Sequence, residues 1–178
     1  MSVVAACQLG LAVGEVESNR AAAAAAVAES AGDGAELVVL PELCDSGYVF
    51  TGVAEARALA TPAADSPTLR EWQALAGRYG TTIAGGFCEL GDDGLVYNSA
   101  ALVGPDGVLA VYRKTHLWAS DVGVFTPGDR FETCRWNGLT VGLLICYDIE
   151  FPETARAVAA LDAESLFPVF GLPAHLPA

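Results

Sequence analysis

A carboxylate, an amine and a thiol each stand at the end of an apolar, strand-like run in this chain. Glu42 follows Glu36-Leu37-Val38-Val39-Leu40-Pro41, Lys114 follows Val108-Leu109-Ala110-Val111-Tyr112-Arg113, and Cys146 follows Leu139-Thr140-Val141-Gly142-Leu143-Leu144-Ile145. A cysteine attacks a carbonyl or nitrile carbon as its thiolate, so it needs a base or a local field and an accessible place at a strand end. Cys146 meets that positional requirement. Cys7 and Cys88 lie inside strand patterns, Cys134 sits in a polar strand, and Cys44 is the loop alternative. Beside a thiol, the Glu42 carboxylate can serve as the general base that removes the proton and later activates water. Taken singly, each residue has a plainer reading: Cys146 as packing, Glu42 and Lys114 as solvated charges at strand ends. Together they suggest one hydrolytic site.

The neighbouring residues make the suggestion specific. Pro41-Glu42-Leu43, Tyr112-Arg113-Lys114-Thr115-His116-Leu117, Phe125-Thr126-Pro127-Gly128 and Ile145-Cys146-Tyr147-Asp148-Ile149-Glu150-Phe151-Pro152-Glu153 follow one another in that order. This set closely resembles the nitrilase superfamily of carbon–nitrogen hydrolases, from the first strand to about residue 156. The resemblance implies a Glu42–Lys114–Cys146 triad. In it the Lys114 ammonium and the Tyr147 backbone N–H stabilise the oxyanion of a tetrahedral intermediate. His116 would be carried without acting as base, and His175 has no motif around it. Many relatives place a second glutamate seven residues after the lysine. Here that position is Asp121, whose carboxylate sits about one methylene further back. The implied reaction is hydrolysis of a non-peptide C–N bond in a small amide or N-carbamoyl compound through a cysteine thioester. It needs neither organic cofactor nor metal. The intact family also implies a homo-oligomer.

Composition narrows the alternatives. At 178 residues with 53% apolar content and mean hydropathy +0.40, the chain suits one buried α/β domain. A net charge of −13 with only 9 Lys+Arg argues against nucleic acid and anionic membrane surfaces as partners. No apolar run approaches the ~20 residues of a bilayer span. Five cysteines without paired spacing suit a reducing cytoplasm, and no Cys/His cluster has zinc spacing.

The elements that must position these residues read as follows. A first strand at Val3–Gln8 precedes a helix at Glu15–Ala31, with Ser18 or Asn19 as caps and Gly32-Asp33-Gly34 as its stop. A loop with a weakly helical stretch at Val53–Leu59 leads to Ser66-Pro67, an N-cap and first-turn pair for a helix at Thr68–Arg78. Strands at Thr81–Leu90, Leu95–Val103 and Val108–Arg113 are joined by short turns and must be antiparallel neighbours, so the sheet is mixed. Residues 119–130 read as loop, Phe131–Trp136 as a strand, and Pro152 opens a helix to about Ala160. This suits one α/β layer pair. The resemblance implies the four-layer α-β-β-α sandwich formed when two such units pair.

Residues 1–160 are expected to form the hydrolase domain, and 161–178 a tail that leaves the pattern. Three prolines in its last eleven residues argue against both strand and helix. That tail suggests a chain shortened at its C-terminus, with an exposed sheet edge. Two rival readings follow: an impaired remnant of such an enzyme, and a thiol redox or binding protein that uses Cys44 or Cys146.

Overall fold

The structure, a computed structural model, describes residues 2–170. Eight strands form among the described residues: β1 (Val4–Ala6), β2 (Leu37–Val39), β3 (Thr82–Leu90), β4 (Val96–Gly104), β5 (Gly107–Arg113), β6 (Thr133–Trp136), β7 (Leu139–Ile145) and β8 (Ser165–Val169). The helices are α1 (Val16–Gly32), α2 (Val53–Leu59), α3 (Pro67–Tyr79) and α4 (Pro152–Ala159). Single 3-10 turns occur at Ala63–Asp65, Ala119–Asp121 and Cys146–Glu150.

The strands make two sheets. One runs β1-β2-β3-β4-β5, parallel from β1 to β3 and antiparallel from β3 to β5; the other runs β6-β7-β8, with β6 antiparallel and β8 parallel to β7. The period of two along each strand then sorts the core. Ile83 and Phe87 of β3, Ala101 and Val103 of β4 and Val111 of β5 turn to one face, where Leu69, Trp72 and Ala76 of α3 and Ala23 and Val27 of α1 cover them. Ala84, Ala100, Leu102 and Tyr112 turn the other way and pack with Val141, Leu143 and Ile145 of β7 and Phe167 of β8, while Val158 of α4 covers the opposite face of β7 at Gly142. The order of layers is therefore helices, five-stranded sheet, three-stranded sheet, helix. This is the α-β-β-α sandwich that the resemblance implies, and it lies within this one chain.

Local signals explain most element ends. Ser66 accepts the Leu69 N–H at 3.4 Å, Pro67 occupies the first turn of α3, and Gly80 in the left-handed region ends it. The start of α1 departs from expectation. Glu15 is its N-cap, with no side-chain bond, and Asn19 lies inside the helix. The Asn19 amide is buried because it ties two loops together, accepting from the Ala12 N–H at 3.1 Å and donating to the carbonyls of Ala12 at 2.8 Å and Asp45 at 3.0 Å.

Asp45 continues that tie. Its carboxylate accepts from the Thr68 hydroxyl at 3.0 Å and the Cys88 N–H at 3.2 Å, joining the Glu42 loop to α3 and β3. Burial pushes its carboxyl up to about 6, above the ordinary 3.8. A folded pKa above the unfolded one means that folding takes up a proton between those values. Asp45 therefore loses its relative stabilisation as pH rises through 6. Asp45→Asn is expected to gain on the natural protein by on the order of 2–3 kcal/mol between pH 4 and pH 7. Denaturant melts at the two pH values check this, and parallel pH dependence in both proteins would refute it.

Beyond α4, Ser165–Val169 is a strand, contrary to the proline-based expectation, while 171–178, with Pro173, His175 and Pro177, lie outside the described residues. β8 is an edge strand among the described residues, and an edge tolerates the missing N–H of Pro168. Among the described residues no helix is long and apolar enough to cross a membrane.

Candidate active site

The sheet topology brings the chemistry to one edge. β2 and β3 are parallel, and two antiparallel steps lead to β5, so β2 and β5 point the same way and both end at that edge. Glu42 leaves β2 and Lys114 leaves β5 there, with β3 and β4 between them. The Glu42 segment closes the gap by crossing β3. Gly86 donates its N–H to the Pro41 carbonyl at 2.9 Å and accepts the Cys44 N–H at 2.8 Å. A Cβ on Gly86 would stand 2.4 Å from the Leu43 nitrogen and 2.6 Å from the Glu42 Cα, so only glycine lets the crossing lie that close. Leu43, at φ 47, makes the turn.

The crossing carries the Glu42 side chain over to β4 and β5. Its Oε1 accepts from Asn98 Nδ2 at 2.7 Å and from Lys114 Nζ at 2.7 Å. Lys114 Nζ also donates to Asp121 Oδ2 at 2.6 Å, so one ammonium is held between two carboxylates. The Lys114 side chain is 0% exposed, that of Glu42 0% and that of Asp121 3%, which makes this an ion triad out of water rather than a pair of solvated charges. Gly128 supports the lysine from outside: its N–H donates to the Lys114 carbonyl at 2.8 Å, and a Cβ there would meet the Arg113 carbonyl oxygen at 2.3 Å. Asp121 reaches Nζ despite its shorter side chain because the 3-10 turn Ala119–Asp121 lifts its backbone. The Trp118 N–H donates to the same Oδ2 at 3.2 Å.

Protonation follows from burial and charge. Burial pushes the Glu42 carboxyl above its usual range, with Lys114 and Asn98 opposing and Asp121 adding to the rise. Burial pulls the Lys114 ammonium down, but the charges and hydrogen bonds of Glu42 and Asp121 outweigh it and leave it above its ordinary value. The lysine is a fixed cation and the glutamate a strengthened base.

Cys146 enters from the second sheet. β7 ends at Ile145, and Cys146 opens a 3-10 turn in the left-handed region at φ 45, a conformation that non-glycine residues reach at a cost of roughly 1–2 kcal/mol. The parallel register Ile145↔Val169 sets Cys146 beside Phe170. The Phe170 carbonyl accepts the Glu42 N–H at 3.1 Å, so the backbones of the thiol and the carboxylate are about one strand spacing from a shared neighbour. Burial, with the charges of Glu42 and Asp121 beside it, raises the pKa of the Tyr48 hydroxyl. None of the five cysteines is in a disulfide. Cys44, the loop alternative, is buried, and burial drives its thiol pKa up, as it does that of Cys88.

The Cys146 turn is bound to the Lys114 strand by Asp148, which is fully buried. Its Oδ2 accepts from the Tyr112 hydroxyl at 2.8 Å and the Ile145 N–H at 3.0 Å; its Oδ1 accepts from the His116 N–H at 2.9 Å and the Thr115 hydroxyl at 3.0 Å. His116, the alternative base, is engaged with Asp148 through Nδ1 at 3.0 Å and stacks on Phe151 at 4.3 Å. Tyr147, whose N–H the family resemblance singles out, packs its ring edge-on against Trp118 and Phe151, each at 4.9 Å.

Sequence reading missed Asn98, Asp148 and Tyr48. Asn98 could have been found as a polar residue inside an apolar strand; Asp148 stands in a quoted segment, but its donors come from three separate elements. A cleft of about 490 Å3, lined by Glu89, Tyr97, Arg113 and Asp129 among others, contains none of Glu42, Lys114 or Cys146. Arg113 points there, away from Lys114, and is bidentate with Glu89.

Three comparisons bear on this geometry. The model of the family described as carbon-nitrogen hydrolase matches residues 3–174. An (R)-stereoselective amidase from a Pseudomonas species is 45% identical over 151 residues, 85% of this chain and 53% of that protein. The NitN amidase of Nesterenkonia sp. AN1 superposes with a TM-score of 0.85 at 26% identity, covering 97% of this chain and 68% of its own. A mutant of that amidase, TM-score 0.80 at 25% identity over 97% of this chain and 68% of its own, carries acrylamide added to its active-site cysteine. The chain spans about half the length of the amidase from Pseudomonas.

Proposed function

Because the chain belongs to the carbon-nitrogen hydrolase family, we propose that it hydrolyses a non-peptide C–N bond in a small amide or N-carbamoyl compound through a thioester on Cys146. The observation that carries this reading is the Lys114 ammonium buried between Glu42 and Asp121, with Cys146 on a strained turn that Asp148 ties to the segment following Lys114.

The steps follow from the groups. Glu42 takes the Cys146 proton, and the thiolate attacks the carbonyl carbon. The oxygen that becomes negative is stabilised by the Lys114 ammonium and the Tyr147 N–H, acting in a water-poor place where such donors are strongest. Collapse of the intermediate breaks the C–N bond; Glu42 returns its proton to the leaving nitrogen, and ammonia or an amine departs. Water then gives a proton to Glu42 and attacks the thioester, and the acid leaves as the thiol is restored. Asp121 keeps Lys114 in place throughout. The raised pKa of Glu42 suits both halves of the cycle.

The test is single-turnover ammonia release from propionamide and phenylacetamide. Glu42→Gln, which keeps the shape and removes the base, is expected to lower the rate by about 10²–10⁴-fold. Release that is unchanged in Glu42→Gln would remove the base from the scheme, and release that persists in Cys146→Ala would remove the thioester.

A further inference from the structure

The charged triad is buried, yet apolar residues on the loops that bear it or pack beside it are turned outward. Val49 follows Tyr48 and is 48% exposed; Trp118 and Val122 flank Asp121 and are 48% and 67% exposed. The loops that bear them pack on one another, since Tyr48, Leu117 and Val124 share a cluster with Leu43, Phe50 and Phe125. The half-buried Tyr147 ring, next to Cys146 in sequence, meets the exposed Trp118 indole edge-on at 4.9 Å. Trp118 is tied to the triad through its own backbone N–H to Asp121. Trp118 therefore links Asp121, through its backbone, to Tyr147, the residue that follows Cys146, through its ring.

Charge narrows what can sit there. Lys114 is the one lysine, and two carboxylates already claim it. All eight arginines have their partners outside the site; Arg113 is held by Glu89 and Tyr97, and Arg156 by Glu153. His116 is engaged by Asp148. Among the described residues no cation remains for a carboxylate on the substrate, and such a group would face the excess negative charge of Glu42 and Asp121.

We infer that the site takes a carboxamide whose acyl group is apolar, aromatic by preference, and bears no anionic group, with Trp118 as the residue that grips that group. This rests on the hydrolase reading above and goes beyond it in naming the substrate class. An apolar group gains by leaving water against the indole and Tyr147, whereas a carboxylate in its place loses hydration with no counter-charge.

The experiment compares phenylacetamide, propionamide and glutaramate. Binding to Cys146→Ala protein, read by calorimetry, requires no turnover; ammonia release by the natural protein is measured in parallel. Phenylacetamide is expected to bind at least about 10-fold tighter than glutaramate, and Trp118→Ala to erase about 10-fold of its advantage over propionamide, while Trp118→Phe keeps most of it. The ratio between ligands is the readout, so a general loss of fold does not imitate it. Glutaramate binding or reacting as well as phenylacetamide overturns the inference and leaves the hydrolase reading intact. A Trp118→Ala effect equal for all three ligands overturns it too. The expected binding order without ammonia from any amide supports the specificity assignment and overturns the hydrolase reading instead.

Discussion

Lys114→Met is expected to abolish most ammonia release, by about 10²–10³-fold in rate, because it deletes one of two donors to the oxyanion. It should also make stability depend on pH. The natural ammonium balances two buried carboxylates; methionine fills the volume but leaves Glu42 and Asp121 facing each other without a cation. Breaking a buried pair from one side costs about 3–5 kcal/mol, which for a chain of this length lowers Tm by on the order of 10 °C. Burial holds the Glu42 carboxyl above its unfolded value near 4, and loss of the Lys114 charge removes what opposes that rise. Folding of the variant then takes up a proton, so its deficit is smallest in acid and widens as pH rises through that raised value. Melting curves at pH 5 and pH 8 beside ammonia assays check both halves. Adding Asp121→Asn to Lys114→Met should recover part of the stability and none of the turnover. A Lys114→Met protein that turns over at the natural rate would exclude the lysine from the chemistry.

Asp148→Ala is expected to be the most damaging change outside the triad. It strips acceptors from the Tyr112 hydroxyl, the Ile145 N–H, the His116 N–H and the Thr115 hydroxyl at once. Each orphaned buried donor costs about 1–3 kcal/mol, so a loss near 4 kcal/mol and about 10 °C in Tm is expected. Those bonds hold the end of the Lys114 strand to the turn that bears Cys146, and a misplacement of ~1 Å can cost about 10²-fold in rate. A positioning role predicts that kcat falls more than KM rises, and that Asp148→Asn, which keeps one acceptor oxygen, recovers part of both losses. Equal stability loss with kcat untouched would make Asp148 purely structural.

Much of the fold was legible because period-two burial is written directly in the strands. The runs around Ile83, Ala101 and Val111 alternate between helix-facing and sheet-facing sides, and Ser66-Pro67 marks a helix start by its own hydrogen-bond chemistry. What was hidden depends on contacts distant in sequence. Pro168 argues against a strand until its edge position is known, and with it went β8 and the Phe170 carbonyl that steadies Glu42. Asn19 resembles a cap by type, yet its amide serves Ala12 and Asp45 rather than its own helix. At the candidate site, Glu42, Lys114, Cys146 and Asp121 could be named from residue types and resemblance. The geometry among them could not, because it depends on the crossing at Gly86 and on a single 3-10 turn.

The thioester on Cys146 is the intermediate on which the proposed reaction turns, and it can be caught. The natural protein is mixed with phenylacetamide, quenched in acid within the first turnover, digested without reductant and read by peptide mass spectrometry. One phenylacetyl group is expected on the peptide that contains Cys146, none on those of Cys7, Cys44, Cys88 or Cys134, and none anywhere in Cys146→Ala. Phenylacetyl on another cysteine, or ammonia released by Cys146→Ala at the natural rate, would contradict it.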